Sequence, residues 1–225
     1  MTGTATVAPV DEERAEVGVG PWVGEWPVLD SAGAPLDPRY DPELLAHGDR
    51  RNVVDAYRYW SLEAIVADLD TRRHPFHVAI ENWAHDMNIG SVVRTANAFL
   101  AAEVHIVGNR RWNRRGAMVT DRYQHVRHHP SVGDLLAWAS DEGLPVLGID
   151  NLPGSVALEG YPLPRACVLL FGQESVGLSD AARASAVDVL HIAQFGSTRS
   201  INAGAAAAIA MHAWISRHAS PGVQG

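Results

Sequence analysis

The 225-residue chain contains no lysine; all 18 of its basic residues are arginine. Arginine presents a planar fork of donors suited to phosphate, where lysine presents a point charge. Cysteine is nearly absent as well. The single Cys167 lies in the apolar run ACVLLFG (166–172), which excludes an intrachain disulfide and is expected to be core in a reducing, cytoplasmic compartment. No apolar run approaches the roughly 20 residues that a membrane helix needs, so no membrane partner is expected. The opening MTGTATVAPVDEERAEVG lacks a basic segment followed by a long apolar one, and is not expected to be a signal peptide. No GxGxxG follows a strand-like run and no GxxxxGK[ST] occurs, so dinucleotide and triphosphate binding have no motif support. His125, His128 and His129 form an HxxHH cluster without a nearby cysteine pair or a fourth ligand, and no metal is expected.

What is present is unevenly placed. The net charge of −8 would argue against a nucleic-acid partner if it were uniform. Residues 1–49 hold ten acids against Arg14 and Arg39, so the whole excess sits there and the remainder of the chain is neutral. Residues 1–47, rich in Gly, Pro and acid, are read as an acidic N-terminal extension. Residues 48–75 are read as an N-terminal helical segment, with Val54, Tyr57, Leu62, Ile65, Val66 and Leu69 at helical spacing, as one helix or as two meeting near Ser61. Residues 76–219 form the main domain, and 220–225 a short tail.

Within the main domain apolar strand-like runs alternate with helical patterns. FHVAI (76–80) precedes a helix over Ile89 to Leu100. VHIVG (104–108) precedes a polar stretch to Pro130 and a helix from Val132 to Ser140. PVLGID (145–150) and ACVLLFG (166–172) are followed by a helix starting near Ser179. VDVLHI (187–192) leads into an Ala-rich helix from Ala203 to Trp214, with Asn202 as its N-cap. This alternation predicts an α/β fold, a mostly parallel sheet with helices on both faces. Such sheets bind ligands beyond the carboxyl ends of their strands.

Three segments at those ends carry candidate chemistry. In NIGSVVRTANAF, Asn88, Ser91 and Thr95 fall near one helix face. Arg94 stands in an otherwise small or apolar run, where a charge needs either a partner acid such as Asp86 or Glu174, or a task. In LLFGQESVGLS, Gly172 and Gly177 let backbone approach a ligand and flank Glu174. In HIAQFGSTRSINAGAAAAIAMHAW, Ser200 and Asn202 enter the Ala-rich helix. Taken singly, each segment also suits an ordinary turn or packing helix.

Together, in this order and spacing over residues 76–216, the three segments resemble the motifs of the SpoU, or TrmH-like, branch of the SPOUT methyltransferases. The resemblance implies methyl transfer from S-adenosylmethionine to a ribose 2′-hydroxyl of tRNA or rRNA, by a homodimer with a trefoil-knotted core. It implies catalytic roles for Asn88, Arg94, Glu174, Ser200 and Asn202. It implies that Leu170, Phe171, Gly172, Gly177, Ile192, Ile201 and Asn202 hold the methyl donor, and that Arg94 acts beside the partner chain. Departures include Trp83 for a common proline, Leu100 where a glycine commonly ends the first helix, Gln173 and Ser175 for Asn and Gly, and Gln194-Phe195 for Pro-Met. None replaces a proposed catalytic side chain. A non-catalytic RNA-binding protein of the same fold is the alternative.

Between Asn109 and Pro130, Arg110, Arg111, Arg114, Arg115, Arg122 and Arg127 face a lone acid, Asp121, with Trp112 and Tyr123 interleaved. Arginines for phosphate and aromatics for bases suit single-stranded RNA, and Arg50 and Arg51 are expected to extend that surface.

Overall fold

The computed structural model describes residues 18–27, 37–82, 88–173 and 176–220. Contacts divide the chain into two compact units, residues 1–61 and 62–225. The first unit contains helix α1 (Pro42–His47), started by Asp41, whose side chain accepts from the Glu43 N–H, with Pro42 in the first turn. Asp49 is wholly buried there and receives Arg51 through Nε at 2.9 Å and Nη2 at 2.7 Å. Trp22 packs edge-on to Tyr40 and Tyr59 in the same unit. The helix expected from Arg50 is reduced to one 3-10 turn, Asp55–Tyr57; continuous α-helix begins only after Ser61.

The second unit opens with helix α2 (Leu62–Asp70) and strand β1 (Phe76–Asn82). Helix α3 (Ile89–Ala98), strands β2 (Val104–Gly108) and β3 (Val126–His129), and helix α4 (Val132–Asp141) follow. Strands β4 (Val146–Ile149), β5 (Val156–Ala157) and β6 (Cys167–Phe171) precede helix α5 (Asp180–Ser185), strand β7 (Asp188–His191) and helix α6 (Ala203–His218). All seven strands are parallel, in the order β3-β2-β1-β6-β4-β7-β5. Strand β1, next to the central β6, pairs Val78 with Val104 of β2 on one side and with Leu169 of β6 on the other.

Strand residues alternate between two cores, as the pleat requires. Phe76, Val78 and Ile80 pack under α3 and α6, with Val92, Val93, Ala96, Met211 and Trp214. Ala79, Val107, Val168 and Leu170 pack under α4 and α5, with Leu135 and Ala182. Helix α6 buries Ala207, Ala210, Met211 and Trp214, spaced as one helical stripe. The Trp214 Nε1 donates to the Pro164 carbonyl at 3.1 Å, so the largest core side chain keeps its polar end satisfied. Cys167 is core, and burial pushes its thiol up to about 12, which keeps it inert. No helix among the described residues is long and apolar enough to cross a membrane.

Two strands were not expected. β3, VRHH, lies in the stretch read as polar loop, because an edge strand with exposed Val126 and Arg127 shows no apolar period. β5 is only two exposed residues on the opposite edge.

Candidate active site

A cleft of about 310 Å³ opens where the carboxyl ends of β4, β6 and β7 meet. Residues 149–152 wall it after β4, 171–173 with 176 and 177 after β6, and 192, 194 and 199–201 after β7; Ala203 and Ala206 of α6 close it. Its size is at the lower end for small-ligand sites, and its place is where parallel sheets bind ligands.

Backbone carves most of it. Gln173 and Gly177 exchange two backbone hydrogen bonds, 3.1 and 2.8 Å, which hold the two residues side by side. A Cβ on Gly172 would run into the backbone of Gly177 and Leu178. Gly177 sits at φ 74°, and a Cβ there would meet the Asp150 carboxylate. Asp150 anchors the loop: its Oδ2 accepts from the Leu178 N–H at 2.9 Å and its Oδ1 from the Asn151 N–H at 2.8 Å. One residue on, the buried Glu81 at the end of β1 accepts from the Ser179 N–H at 2.8 Å. Ser179 caps α5, accepting from the Ala182 N–H at 3.2 Å.

The third segment meets the first. Asn202 caps α6 as expected, its Oδ1 accepting from the Ala205 N–H at 3.2 Å. Its Nδ2 donates to Asn88 Oδ1 at 2.9 Å. A Cβ on Gly204 would lie 3.1 Å from Asn202 Oδ1 and 3.6 Å from Asn88 Oδ1, so the start of α6 sits tightly against the start of α3. Ser200, Ile192, Ile201, Phe171, Gly172 and Gly177 all line the cleft. Leu170 does not; it is fully buried one residue further back in β6. Asn202 stands beside the wall, between Ile201 and Ala203. Glu174 lies outside the described residues, as does Asp86.

Arg94 corrects one premise. Its neighbours in sequence are small or apolar, but the helix turns it to the exposed face while Val92 and Val93 go inward. No acid pairs with it among the described residues, and it is not part of the cleft wall in this chain.

The arginine stretch is laid against α3. A Cβ on Gly90 would lie 2.9 Å from the Gly116 Cα, and one on Gly116 2.9 Å from the Ser91 N, so backbone meets backbone. Arg110, Arg111, Arg115 and Arg122 are exposed. Arg114 is exposed too, 5.5 Å over the Trp112 ring and 3.4 Å from Asp121. Three expectations for this surface change. Tyr123 is buried, and Trp112 packs against the core, so neither ring is free to stack on a base. Arg127 is held by Glu103 at 3.0 and 3.1 Å and lies over Trp138. Arg51 is committed to Asp49 and to the Trp60 carbonyl at 2.7 Å, while Arg50 is exposed.

Sequence reasoning passed over Asp150, Asn151 and Gln194. Asn151 Nδ2 donates to the Arg199 carbonyl at 3.0 Å, tying two walls of the cleft. Gln194 lines the cleft with a buried Oε1 that has no hydrogen-bond partner among the described residues, an acceptor that a ligand donor can reach. The signal for Asp150 was available: an acid at the carboxyl end of PVLGID, followed by Asn, Leu, Pro and Gly, at the end of the sheet where ligands bind.

Comparison with known proteins places this geometry. The profile of the SpoU rRNA Methylase family matches residues 75–212. The tRNA (guanosine(18)-2′-O)-methyltransferase of Escherichia coli K12 is 28% identical over 153 residues, which cover 66% of this chain and 67% of that one. The SpoU methyltransferase AviRb from Streptomyces viridochromogenes, solved in complex with the cofactor AdoMet, superposes with a TM-score of 0.58 at 23% identity, covering 68% of this chain and 62% of that one. The TrmH/SpoU tRNA modifying enzyme of A. aeolicus gives a TM-score of 0.60 at 18% identity, covering 68% and 80%. The structural likenesses show a shared fold, and this chain spans only about three fifths of AviRb.

Proposed function

The chain belongs to the SpoU rRNA methylase family, and from that premise we propose that it is an S-adenosylmethionine-dependent methyltransferase acting on a ribose 2′-hydroxyl of tRNA or rRNA. The observation that carries the reading is the meeting of all three motif segments at one end of the sheet. The Gly172–Gly177 loop and Ser200 share a cleft, and Asn88 is bonded to the Asn202 cap beside it.

The cleft suits the methyl donor. Gly172 and Gly177 leave room only for backbone, and the orphaned Gln194 Oε1 offers an acceptor to an amino group. Phe171, Ile192 and Ile201 supply apolar wall, with Leu170 behind them as support. When bound, S-adenosylmethionine supplies an electrophilic methyl on a sulfonium that is its own leaving group, so the transfer itself asks for no metal. The protein must align the ribose and let one proton go.

Arg94 stays protonated and is therefore not a literal base. It fixes the ribose and an adjacent phosphate and stabilises the developing alkoxide. Its exposure, away from its own cleft, favours service beside the cleft of a second copy in a homodimer. Glu174, Ser200, Asn88 and Asn202 complete the site. Arg110, Arg111, Arg114, Arg115 and Arg122 form the phosphate-binding surface, which Arg127 supports from within its ion pair. Arg50 is a separate phosphate contact of the first unit, with Arg51 beside it held by Asp49. The catalytic domain is residues 76–219, with 1–47 an acidic extension, 48–75 a lead-in and 220–225 a tail, acting in the cytoplasm.

The test is methyl transfer from labelled donor to separated tRNA and rRNA fractions, followed by nucleoside analysis. Label in a 2′-O-methyl nucleoside, lost with Arg94→Ala and not restored by Arg94→Lys, is expected. Donor binding without transfer to any unmodified RNA would favour the non-catalytic RNA binder. Near wild-type transfer by Arg94→Lys would remove the planar fork from the mechanism.

A further inference from the structure

The other end of the same sheet holds a second cluster, built from side chains rather than backbone. β1 and β2 each place a histidine there, His77 and His105, and the carboxyl end of β3 adds His129 beside them. His77 Nδ1 lies 3.0 Å from His105 Nε2, and His105 Nδ1 lies 2.9 Å from His129 Nε2. Glu103, just before β2, brings Oε2 to 3.9 Å from His105 Nε2. The ligand atoms of His77, Glu103 and His105 all lie within 4.8 Å of one another. The Trp138 ring of α4 covers the row, 4.2 Å from the His105 ring. The HxxHH cluster read in the sequence does not assemble: His125 meets Asp70 at 2.8 Å, His128 meets the Gly108 carbonyl at 2.7 Å, and only His129 joins this row.

We propose that His77, Glu103 and His105 bind one divalent cation of the zinc class, with His129 as the positioning residue for His105. Three arguments support the site. The first is spacing. Ligand atoms stand about 2.0–2.2 Å from four-coordinate zinc, hence about 3.4 Å from one another. The pairs at 3.0 and 3.9 Å bracket that value and the third lies within 4.8 Å, so closure draws the His77 and Glu103 ligand atoms together. Partly exposed His77 leaves a fourth position within reach of water.

The second is tautomer. A neutral imidazole has one N–H and one lone pair. His105 can turn its Nε2 lone pair to a metal only if its Nδ1–H donates elsewhere, and His129 Nε2 stands ready to accept it. Outer partners of this kind fix ligand orientation at metal sites.

The third is charge. Glu103 and Glu142 act on His77 against Arg127, and Glu103 and Asp134 act on His129 against Arg127 and His128. Glu103 is the one anionic ligand of the three, and its charge attracts a dication. Glu103 already accepts from Arg127, but a carboxylate has about four lone-pair sites and can serve both. A cation here would pin β1 to β2, and β3 through His129. It takes no part in methyl transfer, because its ligands His77, Glu103 and His105 lie at the amino ends of β1 and β2 and none of them lines the cleft.

Zinc ion titrated into the chelator-treated full chain, against a chromophoric chelator, tests the site. One tight Zn²⁺ per chain is expected, with a rise in the unfolding midpoint. His77→Asn and Glu103→Gln, both at partly exposed positions, should each weaken binding more than tenfold. His129→Asn should weaken it about 10- to 100-fold. His125→Asn and His212→Asn control for surface histidines and should change nothing. If His77→Asn fails to fold, Glu103→Gln carries the test. No binding beyond that of a surface histidine, or tight binding that His77→Asn and Glu103→Gln leave unchanged, overturns the proposal and leaves the row a hydrogen-bonded chain.

Discussion

The two ends of this one parallel sheet are built by opposite means. At the carboxyl end the cleft is made by backbone: Gly172 against Gly177 and Leu178, Gly177 against Asp150, Gly204 against the two asparagines. At the amino end side chains do the joining. The histidine row crosses three strands, and Arg73 ties Asp70 at 2.6 Å, Gln124 Oε1 at 2.8 Å and the Tyr123 carbonyl at 2.8 Å. Burial pushes the His77 and His129 imidazoles down and drives His105 to about 2, so the row is uncharged at neutral pH. A site that must admit a ligand gains from small residues and exposed N–H and C=O groups. An end that need only hold strands together gains from long side chains that fill space and pair with one another.

If that division is right, substitutions at the two ends should separate binding from stability. The largest effect is expected from Gly172→Ala. Its new methyl meets backbone that no rotamer change can move, so the loop must shift at a cost of about 3 kcal/mol. Methyl-donor binding by calorimetry should be lost, and the unfolding midpoint should fall. Retention of donor affinity would mean that the loop is not the donor cradle.

Arg73→Ala should cost about 2 kcal/mol, because a nearly buried guanidinium leaves a buried carbonyl and amide oxygen without their donor. Donor affinity should stay within about twofold of wild type, since neither Arg73 nor any of its partners lines the cleft. A parallel loss of donor binding would break the separation between the two ends.

Asp150→Asn is the finer probe. Asn retains one acceptor, so either the Leu178 or the Asn151 N–H loses its partner, costing about 1 kcal/mol of stability. The loop it positions is the cleft wall, so donor affinity should drop about tenfold. An affinity loss no larger than the stability loss would reduce Asp150 to a structural cap.

This division also explains what could be read in advance. The strands and helices that are apolar throughout, such as CVLLF, or capped at their start, such as the α6 helix behind Asn202, were visible from residue type alone. The edge strand VRHH was not, because an edge with one wet face and charged side chains has no apolar period. Motif residues that line the cleft by backbone were legible because glycine marks such places, Gly177 by its positive φ and Gly172 by the backbone packed against it. The histidine row was hidden, since it depends on β2 lying between β1 and β3, whereas Asp150 was open to reading from its place at the end of PVLGID. Arg94 was misjudged for the converse reason: local composition says nothing of the side of a helix a residue takes once its neighbours choose the core.

The smallest predicted effects sharpen the comparison most, because they set like against like. Leu100 and Val119 are both non-glycine residues in the left-handed region, at φ 52° and 68°. Left-handed backbone costs an L residue about 1–2 kcal/mol. Leu100 follows the last turn of α3, and its carbonyl accepts from the His74 N–H at 2.8 Å. Leu100→Gly should therefore raise stability by up to about 1 kcal/mol, net of lost packing, and leave RNA affinity unchanged. Val119 is 56% exposed next to Met118, also left-handed at φ 47°, in the arginine stretch beside α3. A branched residue held there, without burial to compensate, is strain of the kind that clusters at working surfaces. Val119→Gly should gain little stability, because glycine also loosens the unfolded chain, yet it should weaken RNA binding about two- to threefold by relaxing the loop. Thermal unfolding and an RNA titration at fixed salt decide both cases. If Val119→Gly binds RNA as wild type does, the strain at the carboxyl end is no more functional than that at Leu100.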